Sequence, residues 1–247
     1  MFDTAFDLVI SLGDNCACAT YLRDLHMRER SFPFDWITGP SLERRVELLE
    51  NEFYGFCKKE NLREFVDPAR AEISRHRYYE DVNTDYKFLH DFLKDTPFEL
   101  AYPAVYEKYN RRIKRLYAMT SEAKAVLFVW FSLSTSHSDE AFKEVHTRLV
   151  RKFGSKISLL VIEHKADSKE VSEAKLNESL IRINADFSGG KDHVLGNDLL
   201  ARSIFLRIKK RKNYSYTVHH FLVCAICSLI PFRTLRRELK HRLDSLW

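Results

Sequence analysis

Glycine and proline are scarce in this chain, seven and six among 247 residues. So few turn-formers exclude a β-sandwich of short strands and tight turns, and exclude long flexible linkers. Also missing is any apolar run of the roughly 18 residues that a membrane-spanning helix needs. The opening Met1-Phe-Asp-Thr-Ala-Phe-Asp has neither the basic region nor the cleavage motif of a secretory signal, so a cytoplasmic protein is expected. Cysteines number five; an odd count in a chain of this size points to reduced thiols rather than a disulfide framework. No internal repeat or low-complexity segment is visible. Hydrophobic content of 45% and charged content of 30% are those of a globular protein long enough to bury a full core.

Excess positive charge is absent from most of the chain. Residues 209–247 hold nine Lys or Arg against Glu238 and Asp244, a net of +7, which leaves −2 for the remainder of a chain whose total is +5. A core of that sign gives no reason to expect a nucleic-acid partner. Within the tail, Phe232, Leu235, Leu239, Leu243 and Leu246 recur at spacings of three and four, the stripe of an amphipathic helix. Bordered by Arg and Lys, that stripe is the candidate contact with an anionic membrane surface, at the inner face of the cell membrane; the alternative is a helix docked on the protein's own core or on a partner subunit, with its basic face solvated. The expected organisation is an α/β domain over 1–208 and a basic amphipathic helical tail over 209–247.

What is present is a set of short, non-alternating apolar runs at 8–12, 125–131, 157–162 and 180–183. Such runs fit strands of a parallel sheet covered on both faces. Helical patterns lie at 16–25, 41–50, 102–119 and 139–153, the last ended by Gly154. The alternation predicts an α/β fold, a three-layer Rossmann-like or flavodoxin-like mostly parallel sheet. More than a hundred residues separate the first two strands, so a helical insertion over about 31–119 is expected to form a lid.

Candidate chemistry collects where the first strand ends. Gly13 permits a tight turn, Asp14 or Asn15 can cap the next helix, and Cys16 falls in its first turn. The positive end of a helix favours a thiolate, which is the nucleophilic form. Ser31-Phe-Pro-Phe-Asp-Trp-Ile37 is a stiff aromatic loop around one acid, Asp35, which either anchors the loop or orients a reacting group. Phe88-Leu-His-Asp-Phe92 sets His90 beside Asp91, and His137, His164 and His193 compete with His90 as partner of the cysteine. Cys16-x-Cys18 and Cys224-x-x-Cys227 do not suggest zinc, because the second pair lies in an apolar run where cysteines pack as small hydrophobes. Neither a metal nor a cofactor is expected.

Taken together, Ser11-Leu-Gly-Asp-Asn-Cys16, Ala19, Leu22-Arg23, Ser31-Phe-Pro-Phe-Asp-Trp36, His90-Asp91-Phe92 and the helix of Tyr109-Asn-Arg-Arg-Ile-Lys-Arg115 resemble a bacterial family of papain-like cysteine peptidases. That family was long a domain of unknown function and is often encoded among surface-polysaccharide genes. The resemblance spans about residues 5–190. It implies Cys16 as nucleophile, His90 as its basic partner, and Asp91 or Asp35 as the group that orients the imidazole. Papain-like enzymes carry a Gln six residues before the nucleophile as an oxyanion donor; Ile10 stands there in this chain. Asn15 and the Cys16 N–H are the substitute donors, while Gly13, Asp14, Phe34, Trp36 and His137 are the candidates to contact substrate.

The leading expectation is a cysteine-nucleophile hydrolase or transferase in surface-polysaccharide biology. A non-catalytic module holding a sugar-nucleotide or acidic ligand is the alternative. A third reading is an esterase of the Gly-Asp-Ser type, since Gly13-Asp-Asn and Gly196-Asn-Asp198 resemble its blocks, with Asn15 in place of the serine nucleophile.

Overall fold

The computed structural model describes residues 1–68, 72–188 and 196–211. The tail from residue 212 onward, with Cys224 and Cys227, and also His193, lie outside the described residues. Met1–Lys210 forms one compact unit. In chain order its elements are β1 (Leu8–Ser11), α1 (Cys16–Asp24), β2 (Ile37–Thr38), α2 (Leu42–Glu50), β3 (Leu62–Phe65), β4 (His76–Asp81), β5 (Tyr86–Leu93), α3 (Phe98–Glu122), β6 (Val126–Ser132), α4 (Asp139–Phe153), β7 (Ile157–His164), β8 (Ser172–Asn177), β9 (Leu180–Ala185) and α5 (Asp198–Phe205).

The apolar runs build a sheet in the order β1-β6-β7-β9-β8. β1, β6, β7 and β9 are mutually parallel, and β8 closes the sheet antiparallel to β9. Residues alternate between two apolar layers. Ile10, Phe128, Trp130, Leu159 and Val161 face α2, α3 and α4 residues such as Val46, Leu116 and Phe142. Val9, Leu127, Val129, Leu160 and Ile181 face α1 and α5 through Tyr21, Leu22, Ile204 and Phe205. With both faces covered, every β6 residue is buried, and an uninterrupted Val-Leu-Phe-Val-Trp-Phe run is what such a strand requires. Helices α2 and α4 begin where their caps dictate, with Ser41 Oγ accepting from Arg44 N–H and Ser138 Oγ from Ala141 N–H.

Two expectations are corrected. β1 stands at the end of the sheet order, whereas the Rossmann and flavodoxin orders both place the first strand inside. The insertion is only partly helical: it carries α2 and most of α3, but also a second, antiparallel sheet in the order β2-β5-β4-β3. Phe34, Phe53, Phe56, Tyr86, Phe88 and Tyr109 interlock beneath that sheet with ring centroids 5.2–6.1 Å apart. Aromatic residues favour strands because they pack well on a pleated surface. Among the described residues no helix is long and apolar enough to cross a membrane.

Candidate active site

The turn from β1 into α1 is held from several sides. A Cβ on residue 13 would stand 2.4 Å from Cys18 Cβ and 3.2 Å from the Phe131 carbonyl oxygen, so glycine is required there by close packing. Asn15 is the N-cap, its Oδ1 accepting from Ala17 N–H at 2.8 Å. Asp14 is buried, and its Oδ2 accepts from the hydroxyls of Ser132 at 2.6 Å and Ser134 at 3.0 Å. The Asp14 carbonyl accepts from Thr38 Oγ1 at 3.0 Å and from Arg45 Nη2 at 3.2 Å. Cys16 therefore opens α1 at the carboxyl end of β1, at the positive end of the helix.

The three free cysteines among the described residues differ in setting. Cys16 is half-buried, while Cys18 and Cys57 are buried. Burial pushes the Cys18 thiol up to about 12, and burial likewise pushes the Cys57 thiol far up. A thiol in either position stays protonated and inert. Of these three, Cys16 lines a cavity of about 680 Å3. One wall of that cavity is Asp14 and Asn15 with Ser134, Thr135 and Trp130 from the end of β6; the opposite wall is the strip 36–41 with Phe65, Asp67, Lys87, Leu89 and His90 from the insertion.

His90 reaches this cavity through an irregularity in β5. Phe88 pairs with Tyr79 and Phe92 with Arg77, which leaves Leu89, His90 and Asp91 opposite Tyr78 alone. A bulge of this kind re-aims side chains next to binding sites. It turns His90 into the cavity, exposed and edge-to-face with His76 at a centroid distance of 5.9 Å. Asp91 is sent the other way, where Lys108 Nζ and Tyr109 Oη donate to its two oxygens, the tyrosine at 2.9 Å.

Of the ten residues singled out in the sequence, the cavity gathers Asp14, Asn15, Cys16, Trp36 and His90. The other five are elsewhere. Gly13 is packed behind the turn. Phe34 is fully buried among Phe53 and Tyr86. Asp35 is fully buried, and its Oδ2 accepts from Phe32 N–H at 2.8 Å and from Arg28. Burial pushes its carboxyl up, opposed by Arg28. Asp91 is bound to α3 as described. His137 lies behind Trp130, its Nδ1 2.9 Å from Glu163 Oε1. That hydrogen bond holds the imidazole above its ordinary value.

Sequence reading missed Arg45, Lys87, Thr38 and the Ser132–Thr135 loop. The loop had a signal, since its hydroxyls follow β6 on the same sheet edge as Cys16. Arg45 had none, because Leu42-Glu-Arg-Arg-Val46 reads as the solvated face of a helix. Among the described residues no group of three or more His, Cys, Asp or Glu side chains is arranged to hold a metal ion.

A family described as "Putative papain-like cysteine peptidase" matches residues 7–166, a span that includes Cys16, the 31–37 loop and His90. Among curated proteins, "Uncharacterized protein R408" of Acanthamoeba polyphaga mimivirus is 27% identical over 136 residues, which is 49% of this chain and 60% of that protein. The chain thus spans less than two thirds of this relative. No solved structure matches.

Proposed function

Because the chain belongs to that papain-like cysteine peptidase family, and because one cavity holds both Cys16 and His90, we propose that it is a cysteine-nucleophile hydrolase or transferase. The observation that carries the reading is the contrast among cysteines: the one at a helix N-terminus is the one that lines a cavity with an imidazole. In the reaction, Cys16 Sγ attacks a carbonyl carbon and the carbonyl oxygen takes the electron pair. The Cys16 N–H and the Asn15 amide nitrogen are the donors to that oxygen. His90, protonated after taking the thiol proton, gives it to the departing group, leaving a thioester on Cys16. Water or another acceptor, deprotonated by His90, then attacks the thioester and restores the thiol.

Two features separate this site from the papain pattern. Ile10 is fully buried in β1, so no side chain six residues upstream helps the oxyanion. Both oxygens of Asp91 and the paired oxygen of Asp35 are committed elsewhere, so the reading is of a Cys–His pair rather than a triad through either acid. The cavity lining of Trp36, Phe65 and Trp130 with Lys87 and Asp67 suits an acyl donor with an apolar body and polar edges. A setting in surface-polysaccharide biology is supported by the sequence resemblance, and one at a membrane surface by the basic tail.

Alkylation by iodoacetamide tests the proposal, with peptide mapping to separate the thiols. Cys16 is expected to react well below pH 8 and much faster than Cys57. Equal, slow reaction of both overturns the nucleophile and favours a ligand-binding module.

A further inference from the structure

Arg45 is the least expected residue beside this cavity. It sits on α2 and is fully buried, with 0% of its surface exposed. A guanidinium keeps its charge inside proteins, and a buried charge is normally paired with an opposite one. Arg45 makes its hydrogen bonds to two backbone carbonyls, from Nε to Pro40 and from Nη2 to Asp14, both at 3.2 Å, and the buried Asp14 carboxylate acts on it through space without a hydrogen bond. Three aromatic rings surround it, with Tyr86, Phe34 and Trp130 centroids 5.3, 5.6 and 5.9 Å from its central carbon. Its Nη1 has no hydrogen-bond partner. Ring faces stabilise a cation without neutralising it, so a full positive charge persists in a low-dielectric pocket, where its field is least screened.

The two carbonyls belong to the two walls of the cavity. Asp14 lies two residues before Cys16, in the turn that caps α1, and Pro40 belongs to the strip 36–41 that faces it. Thr38 Oγ1 ties the same Asp14 carbonyl to that strip. Phe34, one of the rings, comes from the aromatic loop, so Arg45 is also what joins the Pro-Phe-Asp-Trp block to the Gly-Asp-Asn-Cys block. The ionisable groups that line the cavity with Cys16 are Asp14 in its own turn, Asp67 after β3, and Lys87 and His90 on β5; Arg45 on α2 lies behind that lining, bonded to the carbonyl of Asp14. Asp67, Lys87 and His90 line the open cavity, within reach of solvent and salt; Arg45 is fully enclosed.

We propose that Arg45 is a positioning residue for Cys16: an enclosed, permanently charged clamp that fixes the nucleophile's turn against the opposite wall and holds positive potential behind the thiolate. The proposal rests on the reading of Cys16 as nucleophile and deepens it.

The test is the pH profile of Cys16 alkylation by iodoacetamide in the full chain, compared among wild type, Arg45→Met, Arg45→Lys and the control Leu149→Ala. Leu149 is a buried α4 residue that does not itself line the cavity, and its truncation loosens the core. Arg45→Met is expected to raise the midpoint by about one unit, so that Cys16 reacts about ten-fold more slowly at pH values below it. Arg45→Lys keeps the charge but cannot span both carbonyls, so its midpoint stays near wild type while its rate falls. Leu149→Ala leaves the midpoint in place. A folded Arg45→Met protein with the wild-type midpoint overturns the proposal, as does a control that moves equally. Should Arg45→Met fail to fold, Arg45→Lys decides alone. An unmoved midpoint with a slower rate supports the clamp, and a midpoint raised by a full unit or an unchanged rate overturns it. The nucleophile reading fails separately, if wild-type Cys16 titrates at the ordinary thiol value of about 8.5 and reacts no faster than a free cysteine.

Discussion

Replacing Asp35 by Ala should damage the fold first and the chemistry only through it. The Asp35 side chain has no exposed surface and that of Arg28 has 5%. In the wild type Oδ2 takes hydrogen bonds from Arg28 and from Phe32 N–H. Truncation to Ala leaves a buried guanidinium uncompensated, which costs about 3–5 kcal/mol. The orphaned Phe32 N–H adds to that, though less than additively, within about 1–3 kcal/mol. Whole domains are stable by about 5–15 kcal/mol, so Asp35→Ala removes a large share. At about 2–4 °C per kcal/mol for a chain of this size, Tm should fall by roughly 6–20 °C. Arg28 also lies over the Trp36 ring at 5.6 Å, so its release loosens one wall of the cavity. Guanidinium unfolding followed by far-UV circular dichroism gives the free energy. The double variant Arg28→Met/Asp35→Leu should recover much of the loss, because an apolar pair of similar volume replaces a buried ion pair at little cost. An Asp35→Ala protein within about 1 kcal/mol of wild type, with activity gone, would refute the reasoning and restore Asp35 as a group acting on the reaction.

Gly13→Ala places a Cβ 2.4 Å from Cys18 Cβ and should cost about 1–3 kcal/mol as overpacking, read by the same unfolding experiment; a neutral effect would mean that the turn shifts freely. His90→Ala should change stability by no more than about 0.5 kcal/mol, as an exposed position does, while slowing Cys16 acylation by about 10²–10⁴-fold. For His137, the hydrogen bond to Glu163 raises the folded pKa above its ordinary 6.5. The stability it contributes is therefore complete below about pH 6.5 and is lost as pH rises through the folded value. The Tm difference between wild type and His137→Gln should shrink from pH 6 to pH 9, and a difference constant with pH contradicts this. The basic tail predicts that the full chain pellets with anionic liposomes at low salt and is released at high salt, whereas a chain ending at residue 211 stays in the supernatant; failure of the full chain to pellet removes the membrane contact.

The parallel strands were legible because β1, β6, β7 and β9 are buried on both faces and so are rich in Val, Ile, Leu and Phe, unbroken over Val126–Phe131 of β6. β8 was not, since Ser-Glu-Ala-Lys-Leu-Asn is mostly exposed along its length and only Ala174 and Leu176 alternate with its polar residues. The insertion's sheet was obscured by its dense aromatics, which satisfy a helix stripe as readily as a strand. Pro103 inside α3 hid the first turn of that helix, which starts at Phe98 rather than Tyr102. At the site, Cys16 was legible from local rules alone: a strand, a glycine, a cap. His90 and Asp91 are neighbours in sequence, which suggested a partnership, but successive residues of a strand point to opposite faces, so His90 lines the cavity while Asp91 binds α3. Arg45 was invisible because its burial depends on Phe34, Tyr86 and Trp130, from three distant segments.

The central claim, that Cys16 is a nucleophile served by His90, is tested most directly by trapping an acyl-enzyme. Incubated with p-nitrophenyl acetate near pH 6.5, the wild-type chain should release a burst of p-nitrophenolate and carry one acetyl group, mapped to Cys16. Cys16→Ala should show neither, and His90→Ala should acquire the acetyl group about a hundred-fold more slowly. Acetylation spread over other nucleophiles, or a Cys16 adduct that forms equally fast without His90, would contradict the account.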